Sequence, residues 1–279
     1  MASFCQRWDQ LPGDSIQMDI GQDAVVHLNY KLIGLSSNRT AYVDGDIVLG
    51  DENSLRLIQS ATGPVVTEGV ARISATARWP NATIPYVIDN FLPSPQRVTD
   101  AIAHWEAHTA LRLVPRTNEA DYVRFVNGGG CSSFVGKVGG EQAVTLNAGC
   151  STGNAIHEIG HAFGLWHEQS RTDRDDFVNI HFDNIQAGFE HNFDKITQPV
   201  VENNDIALYN FRSIMHYPTN AFAIDPARPT IEVRPEIRLT PGTVIGQRNG
   251  LSQGDVTAIT FVYCEDPNFN CVIPVDPTL

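Results

Sequence analysis

The sequence predicts an α+β chain, and three observations carry that prediction. Short β-rich runs surround one long amphipathic helix, a second helix carries paired histidines, and a turn-rich stretch then runs to a last helix. TIPYVID, from residue 83, alternates and is rich in strand formers. SPQRVTDAIAHWEAHTALRLV follows as the first helix, with Ser94 as N-cap and Pro95 at the first helical position. Its Val98, Ile102, Trp105 and Thr109 step at helical spacing. DYVRFV, SSFVGKV and QAVTLN read as strands joined by glycine-rich turns. The second helix, STGNAIHEIGHAFGL, ends near Gly164. Turns fill the chain to about residue 250, where Ser252 and Asp255 form a capping box ahead of Val256, Ile259 and Val262.

Residues 1–70 have a different texture. They are rich in Asp, Gly and Ser, with short apolar pieces and an acidic turn stretch, YVDGDIVLGDEN. The whole chain, 279 residues long, is long enough for one large domain plus a smaller segment. Its net charge of −13 argues against nucleic acid or an anionic membrane as the main partner. No apolar run approaches the length of a membrane span. The opening MASFCQRWDQ lacks the basic start and apolar stretch of a signal peptide. Asn38 and Asn81 head N-x-T sequons.

His157, Glu158, His161, Gly164 and His167 spell H-E-x-x-H-x-x-G-x-x-H. Five fixed identities make a chance match in such a chain a roughly one in ten thousand event. His157 and His161 leave the same face of a helix, one turn apart. His167 joins them only if the chain turns at Gly164, where glycine permits it. Three neutral imidazoles suit one Zn²⁺ per chain and leave a fourth position open, the pattern of catalytic zinc. Such a metal lowers the pKa of water toward roughly 7 and polarises a carbonyl. Glu158 is placed to act as base, taking the water's proton and delivering it to a leaving amine.

The extended motif with a downstream methionine turn, here SIMHYP from residue 213, is that of the metzincin peptidases. HEIGHAFGLWHEQSRTDRD, SIMHY, GCSSFVGKVGGEQAVTLNAGC and FVNIHFDNIQAGFEHNFDK together resemble the astacin family, over about residues 79–264. Serralysins also carry a tyrosine in this turn, but their glycine-rich calcium repeats do not occur in these residues.

The resemblance implies a metzincin-like fold. A twisted mixed β-sheet and two long helices would form an N-terminal half, facing a loop-rich C-terminal half with one helix across an active-site cleft. It implies that Met215 floors the metal site and that Tyr217 is a hinged metal ligand able to stabilise the oxyanion. It assigns Glu168 to the freed N-terminus of the mature enzyme, and Cys131, Ser132, Ser133 and Phe134 to an edge strand that pairs with extended substrate. It divides the chain into a propeptide (1–70), a catalytic domain (71–266) and a C-terminal tail (267–279). Val43-Asp44-Gly45-Asp46 is the counterpart of the family's F-x-G-D latency motif, with Val in place of Phe. Asp46 would then ligate the zinc in the latent state, although D-G-D alone also reads as an ordinary acidic turn.

The resemblance pairs Cys131 with Cys150. The family's second bridge would need a cysteine where this chain has Ala110, so proximity pairs Cys264 with Cys271 and leaves Cys5 over. A secreted zinc endopeptidase in proenzyme form is therefore expected. Its partners would be protein or peptide substrates and an activating protease cutting near Arg56 or Arg72, with no nucleic acid, no membrane insertion and a monomeric state. A zinc-holding peptide-binding protein without turnover is the other reading, and the intact Glu158, Met215 and Tyr217 weigh against it.

Overall fold

The computed structural model describes residues 46–48, 76–196, 209–264 and 269 in full, together with the backbone of the strands within residues 14–51. Strands β1 (Asp14–Asp19), β2 (Val25–Leu35), β3 (Asn38–Val43) and β4 (Ile47–Asp51) make a four-stranded antiparallel sheet in chain order. Val43 faces Ile47 across the last hairpin, and Asp46 directly precedes Ile47. Arg56, Arg72 and Cys5 lie outside the described residues.

A second sheet has five strands: β5 (Thr83–Ile88), β6 (Arg112–Pro115), β7 (Tyr122–Val126), β8 (Cys131–Ser132) and β9 (Glu141–Leu146). Their order is β6-β5-β7-β9-β8, parallel except for the antiparallel edge strand β8, so the sheet is mixed. Helix α1 (Gln96–His108), between β5 and β6, buries Val98, Ile102 and Trp105. Helix α2 (Thr152–Phe163) packs against it, and the Trp105 indole N–H donates to the Ile156 carbonyl at 3.0 Å. Beyond α2, regular structure is sparse among the described residues: β10 (Val178–Ile180) pairs with β11 (Ile231–Val233), and α3 (Gln253–Tyr263) closes the domain. The predicted α+β architecture is the observed one. No helix among the described residues is long and apolar enough to cross a membrane.

Three local expectations are corrected. Ser94 does not cap α1 with its side chain. It takes φ +50°, Pro95 stands at the N-cap, and the helix begins at Gln96. The helix also stops earlier than its pattern implied. Thr109 turns its hydroxyl back onto the Trp105 carbonyl, and Arg112–Pro115 becomes a parallel strand that buries Leu113. Only Cys131–Ser132 of the stretch around SSFVGKV is a strand. The chain leaves the sheet at Ser133 and takes a positive φ at Gly136.

Two features fix the entry to α2. The buried Arg97 guanidinium donates to the carbonyls of Leu146, Asn147 and Cys150, holding the turn ahead of the helix. Ser151 and Asn154 then form a reciprocal capping box. Gly153, in the first turn, lies against the opposite wall: a Cβ there would stand 1.8 Å from the Arg248 carbonyl oxygen. Gly153→Ala is therefore expected to lower stability by about 1–3 kcal/mol, because a backbone segment must shift to admit it. Thermal unfolding of the variant measures this, and a melting temperature equal to the parent's would contradict it.

Candidate metal centre and active site

The C-terminus of α2 brings the third histidine back to the first two. Gly164 adopts φ +118°, its N–H meets the His161 carbonyl at 2.7 Å, and the Leu165 N–H reaches the Gly160 carbonyl at 2.9 Å. This is a Schellman turn, which reverses the chain so that His167 faces His157 and His161. The three Nε2 atoms converge, at 3.1 Å for His157–His161 and 3.3 Å for His157–His167. The Asp46 carboxylate completes the group, 3.3 Å from His157, 3.7 Å from His161 and 3.1 Å from His167. All four donor atoms lie within 4.8 Å of one another.

This set fits a metal ion. His157 Nδ1 lies 2.8 Å from the Ile214 carbonyl and His161 Nδ1 lies 2.7 Å from the Leu165 carbonyl. A carbonyl only accepts, so each Nδ1 carries the proton and each Nε2 presents a lone pair inward. Burial, with Arg248 adding to it, holds His157 down to about 3, so it stays neutral. Lone pairs facing each other and a carboxylate, whose buried Oδ1 has no hydrogen-bond partner, repel unless a cation lies between them. Three imidazole nitrogens and one carboxylate oxygen are a donor set for tetrahedral zinc.

Glu158 is buried on α2 beside the ligands, and its Oε2 has no hydrogen-bond partner. Burial pushes its carboxyl well above the ordinary carboxylate range; the Asp46 carboxylate adds to the rise and Arg248 opposes it. A cation among the imidazoles would act in Arg248's direction.

The methionine turn is held from three sides. Ser213 Oγ donates to Asp255 Oδ1 at 2.5 Å and the Ile214 N–H to Asp255 Oδ2 at 3.1 Å. The Met215 carbonyl accepts from the Glu168 N–H, and the Tyr217 N–H donates to Gln169 Oε1 at 3.0 Å. Met215 is buried beneath the site, and a Cβ on Gly160 would lie 2.8 Å from its sulfur. The Tyr217 ring is buried, with its centroid 4.7 Å from that of His167. His216 is equally buried. Its Nδ1–H donates to the Tyr217 carbonyl and its Nε2 accepts from the Tyr209 hydroxyl at 2.8 Å.

Of the expected site residues, His157, Glu158, His161, His167, Asp46, Met215 and Tyr217 come together, and four other residues join them. Asp255 was legible only as a helix cap, yet the same carboxylate anchors the methionine turn. His216 fell inside SIMHY but had no assigned part. Gln169 and Arg248 had no sequence signal: Arg248 donates to the His216 carbonyl at 3.1 Å and holds a positive charge near Asp46 and Glu158. Glu168 is buried rather than a solvated surface carboxylate. Its Oε1 accepts from the Asn210 N–H at 2.7 Å and lies 3.5 Å from Arg171. Burial lifts it to about 8 against the opposing Arg171 charge.

The edge strand is occupied. The Val48 N–H donates to the Ser133 carbonyl at 2.8 Å and the Ser133 N–H to the Asp46 carbonyl at 3.0 Å, a parallel bridge. The start of β4, next to Asp46, thus joins the four-stranded sheet to the five-stranded one. Asp46, the last residue of D-G-D, reaches into the histidine cluster. Asp44 and Gly45 themselves lie outside the described residues.

Cys131 and Cys150 are bridged, closing the loop that carries β9 and leads to α2. Replacing both by serine is expected to cost about 3 kcal/mol, from the loop closed in the unfolded chain. The denaturant midpoint reads this, and an unchanged midpoint would refute it. Cys264 is also disulfide-bonded. The expected partner, Cys271, lies outside the described residues.

The peptidase family described as Astacin matches residues 71–264. Blastula protease 10 of Paracentrotus lividus is 41% identical over 207 residues, covering 70% of this chain and 34% of that protein. Protein SpAN of Strongylocentrotus purpuratus is 36% identical over 238 residues, covering 80% of this chain and 37% of that protein. The chain thus spans about a third of the length of these two relatives. Among solved structures, high choriolytic enzyme 1, a hatching enzyme zinc-protease from Oryzias latipes, is 37% identical with a TM-score of 0.61. The match covers 68% of this chain and 96% of that one.

Proposed function

The chain belongs to the astacin family of zinc metallopeptidases, and on that premise we propose that it is an endopeptidase of protein substrates held latent by its own N-terminal segment. One observation carries the latency: the Asp46 carboxylate stands among the three ligand nitrogens while residues 46–48 pair with the substrate edge at Ser133. Metal position and substrate strand are closed by one hairpin.

Zinc, when bound, supplies Lewis acidity toward the scissile carbonyl and toward an attacking water. The chain's own residues do the rest. Residues 131–134 hold an extended substrate by main-chain hydrogen bonds, which ask little of its sequence. Glu158 accepts the proton of the attacking water and passes it to the leaving amine. The Tyr217 hydroxyl donates toward the oxygen that gains negative charge. Met215 and Asp255 keep the turn, and through Ile214 the His157 ring, in register.

Residues 1–70 are the propeptide in this reading, 71–266 the catalytic domain and 267–279 a tail. Cleavage near Arg56 or Arg72 by an activating protease frees a new N-terminus. Glu168, a buried carboxyl, is its expected partner. The Cys131–Cys150 bridge supports secretion, since disulfides persist in oxidising compartments. The acting species is a monomer.

The test compares cleavage of an unstructured protein by the intact chain and by the chain trimmed by limited proteolysis, each with and without a zinc chelator. Activity after trimming that vanishes on chelation is expected. Activity already full in the intact chain removes the latency. A folded, zinc-loaded, trimmed chain that cleaves nothing turns the reading to a peptide-binding protein.

A further inference from the structure

Ile47 is 1% exposed, although it lies on the N-terminal segment beside two half-buried neighbours. It does not enter the main core. It packs in a separate small cluster with Val135, Trp166 and Ile196. These three come from three places around the cleft. Val135 follows the substrate edge, Trp166 precedes the ligand His167, and Ile196 follows the turns after β10. The Trp166 indole N–H is buried with no hydrogen-bond partner. Once the segment leaves, these walls face an apolar gap beside the metal site.

We infer that this gap is a specificity pocket for a branched aliphatic side chain of the substrate, within two residues of the scissile bond; the inference rests on the endopeptidase reading. In an extended segment successive side chains point to opposite sides. At the junction of the turn and β4, Asp46 points among the imidazoles and Ile47, the first strand residue, fills the pocket, while the backbone bonds to Ser133 on the same edge. A substrate backbone on the same edge places its side chains with the same alternation. When one of them lies near the reacting centre, a neighbour enters the pocket. A charged side chain there would lose its water against largely hydrocarbon walls, where the Trp166 indole N–H is a single neutral donor that does not replace a hydration shell. An isoleucine or valine replaces the Ile47 contacts directly.

The test has two arms, both on the zinc-loaded trimmed chain, whose counterpart stands as nearly the whole chain of the hatching-enzyme structure. In the first, positions flanking the cleaved bond of a fluorogenic peptide are varied among Ile, Val, Ala, Asp and Lys. At one of them Ile and Val should exceed Asp and Lys at least tenfold in kcat/KM, and Val135→Phe should shift the preference to Ala. In the second, a synthetic peptide of residues 38–51 is titrated against the trimmed chain. Ile47→Ala in the peptide should weaken binding about tenfold, and Ile47→Asp more. Hydrolysis with no aliphatic preference at any position, or equal binding of the three peptides, would overturn the pocket. If nothing is hydrolysed while the peptides still separate, the pocket stands and the endopeptidase reading is what fails.

Discussion

Glu158→Gln is expected to leave the trimmed chain folded and zinc-loaded while peptide hydrolysis falls by about 10²–10⁴-fold. The substitution keeps the shape of the side chain and removes only its ability to accept and return a proton. Among the described residues, the other groups at the metal site are not free to take that part. The three histidines offer their Nε2 lone pairs to the metal, and two of them spend Nδ1–H on the carbonyls of Ile214 and Leu165. Asp46 leaves with the segment, and Arg248 is a cation that cannot act as a base. The variant should also fold well, since Glu158 Oε2 forms no hydrogen bond that an amide would break. Metal content and initial rates on one peptide, measured on the same preparation, check the result. A variant within tenfold of the parent rate would show that water is deprotonated by another group. A variant that has lost its zinc would place Glu158 in metal retention instead.

Most of this site was legible because its chemistry is local in sequence. Three ligands and the base fall within eleven residues, and helical geometry fixes two of the ligands without tertiary information. Gly164 marked the reversal because only a residue free to take positive φ makes that turn cheaply. The methionine turn was legible through its identity, since its spacing from the histidines is set by loops with no periodicity. The misses have different causes. The Arg112–Pro115 strand and the short β8 were decided by tertiary pairing, which overrides local propensity in segments of a few residues, whereas Ser94 takes a positive φ just ahead of Pro95. Arg248 meets the site from an irregular loop and Gln169 from a single 3-10 turn, each through one side chain, and no spacing rule reaches them. Asp255 was read through its nearest neighbour, Ser252, and its longer reach to Ser213 became visible only in three dimensions.

Asp46→Ala is expected to make the intact chain cleave protein without any trimming. The carboxylate is the one anionic group that the segment brings to the three imidazoles among the described residues, and it is largely buried against them. Removing one partner of a buried charged pair, here the carboxylate facing the zinc, typically costs about 3–5 kcal/mol, or roughly 10²–10⁴ in the balance between closed and open segment. The release would be incomplete. Ile47 keeps its apolar pocket and the two bonds to Ser133 remain, so the segment still covers the substrate edge much of the time. The intact Asp46→Ala chain should therefore turn over well above the intact parent and below the trimmed one, and adding Ile47→Asp should close most of that remaining gap. Asp46→Asn should fall between parent and Ala, because the amide can still approach the nitrogens but carries no charge to hold it there. Initial rates of the four intact chains against the trimmed parent, at equal zinc content, decide the matter. If Asp46→Ala stays as silent as the parent while trimming still activates it, the segment blocks by covering the edge strand, and the carboxylate at the metal is a passenger.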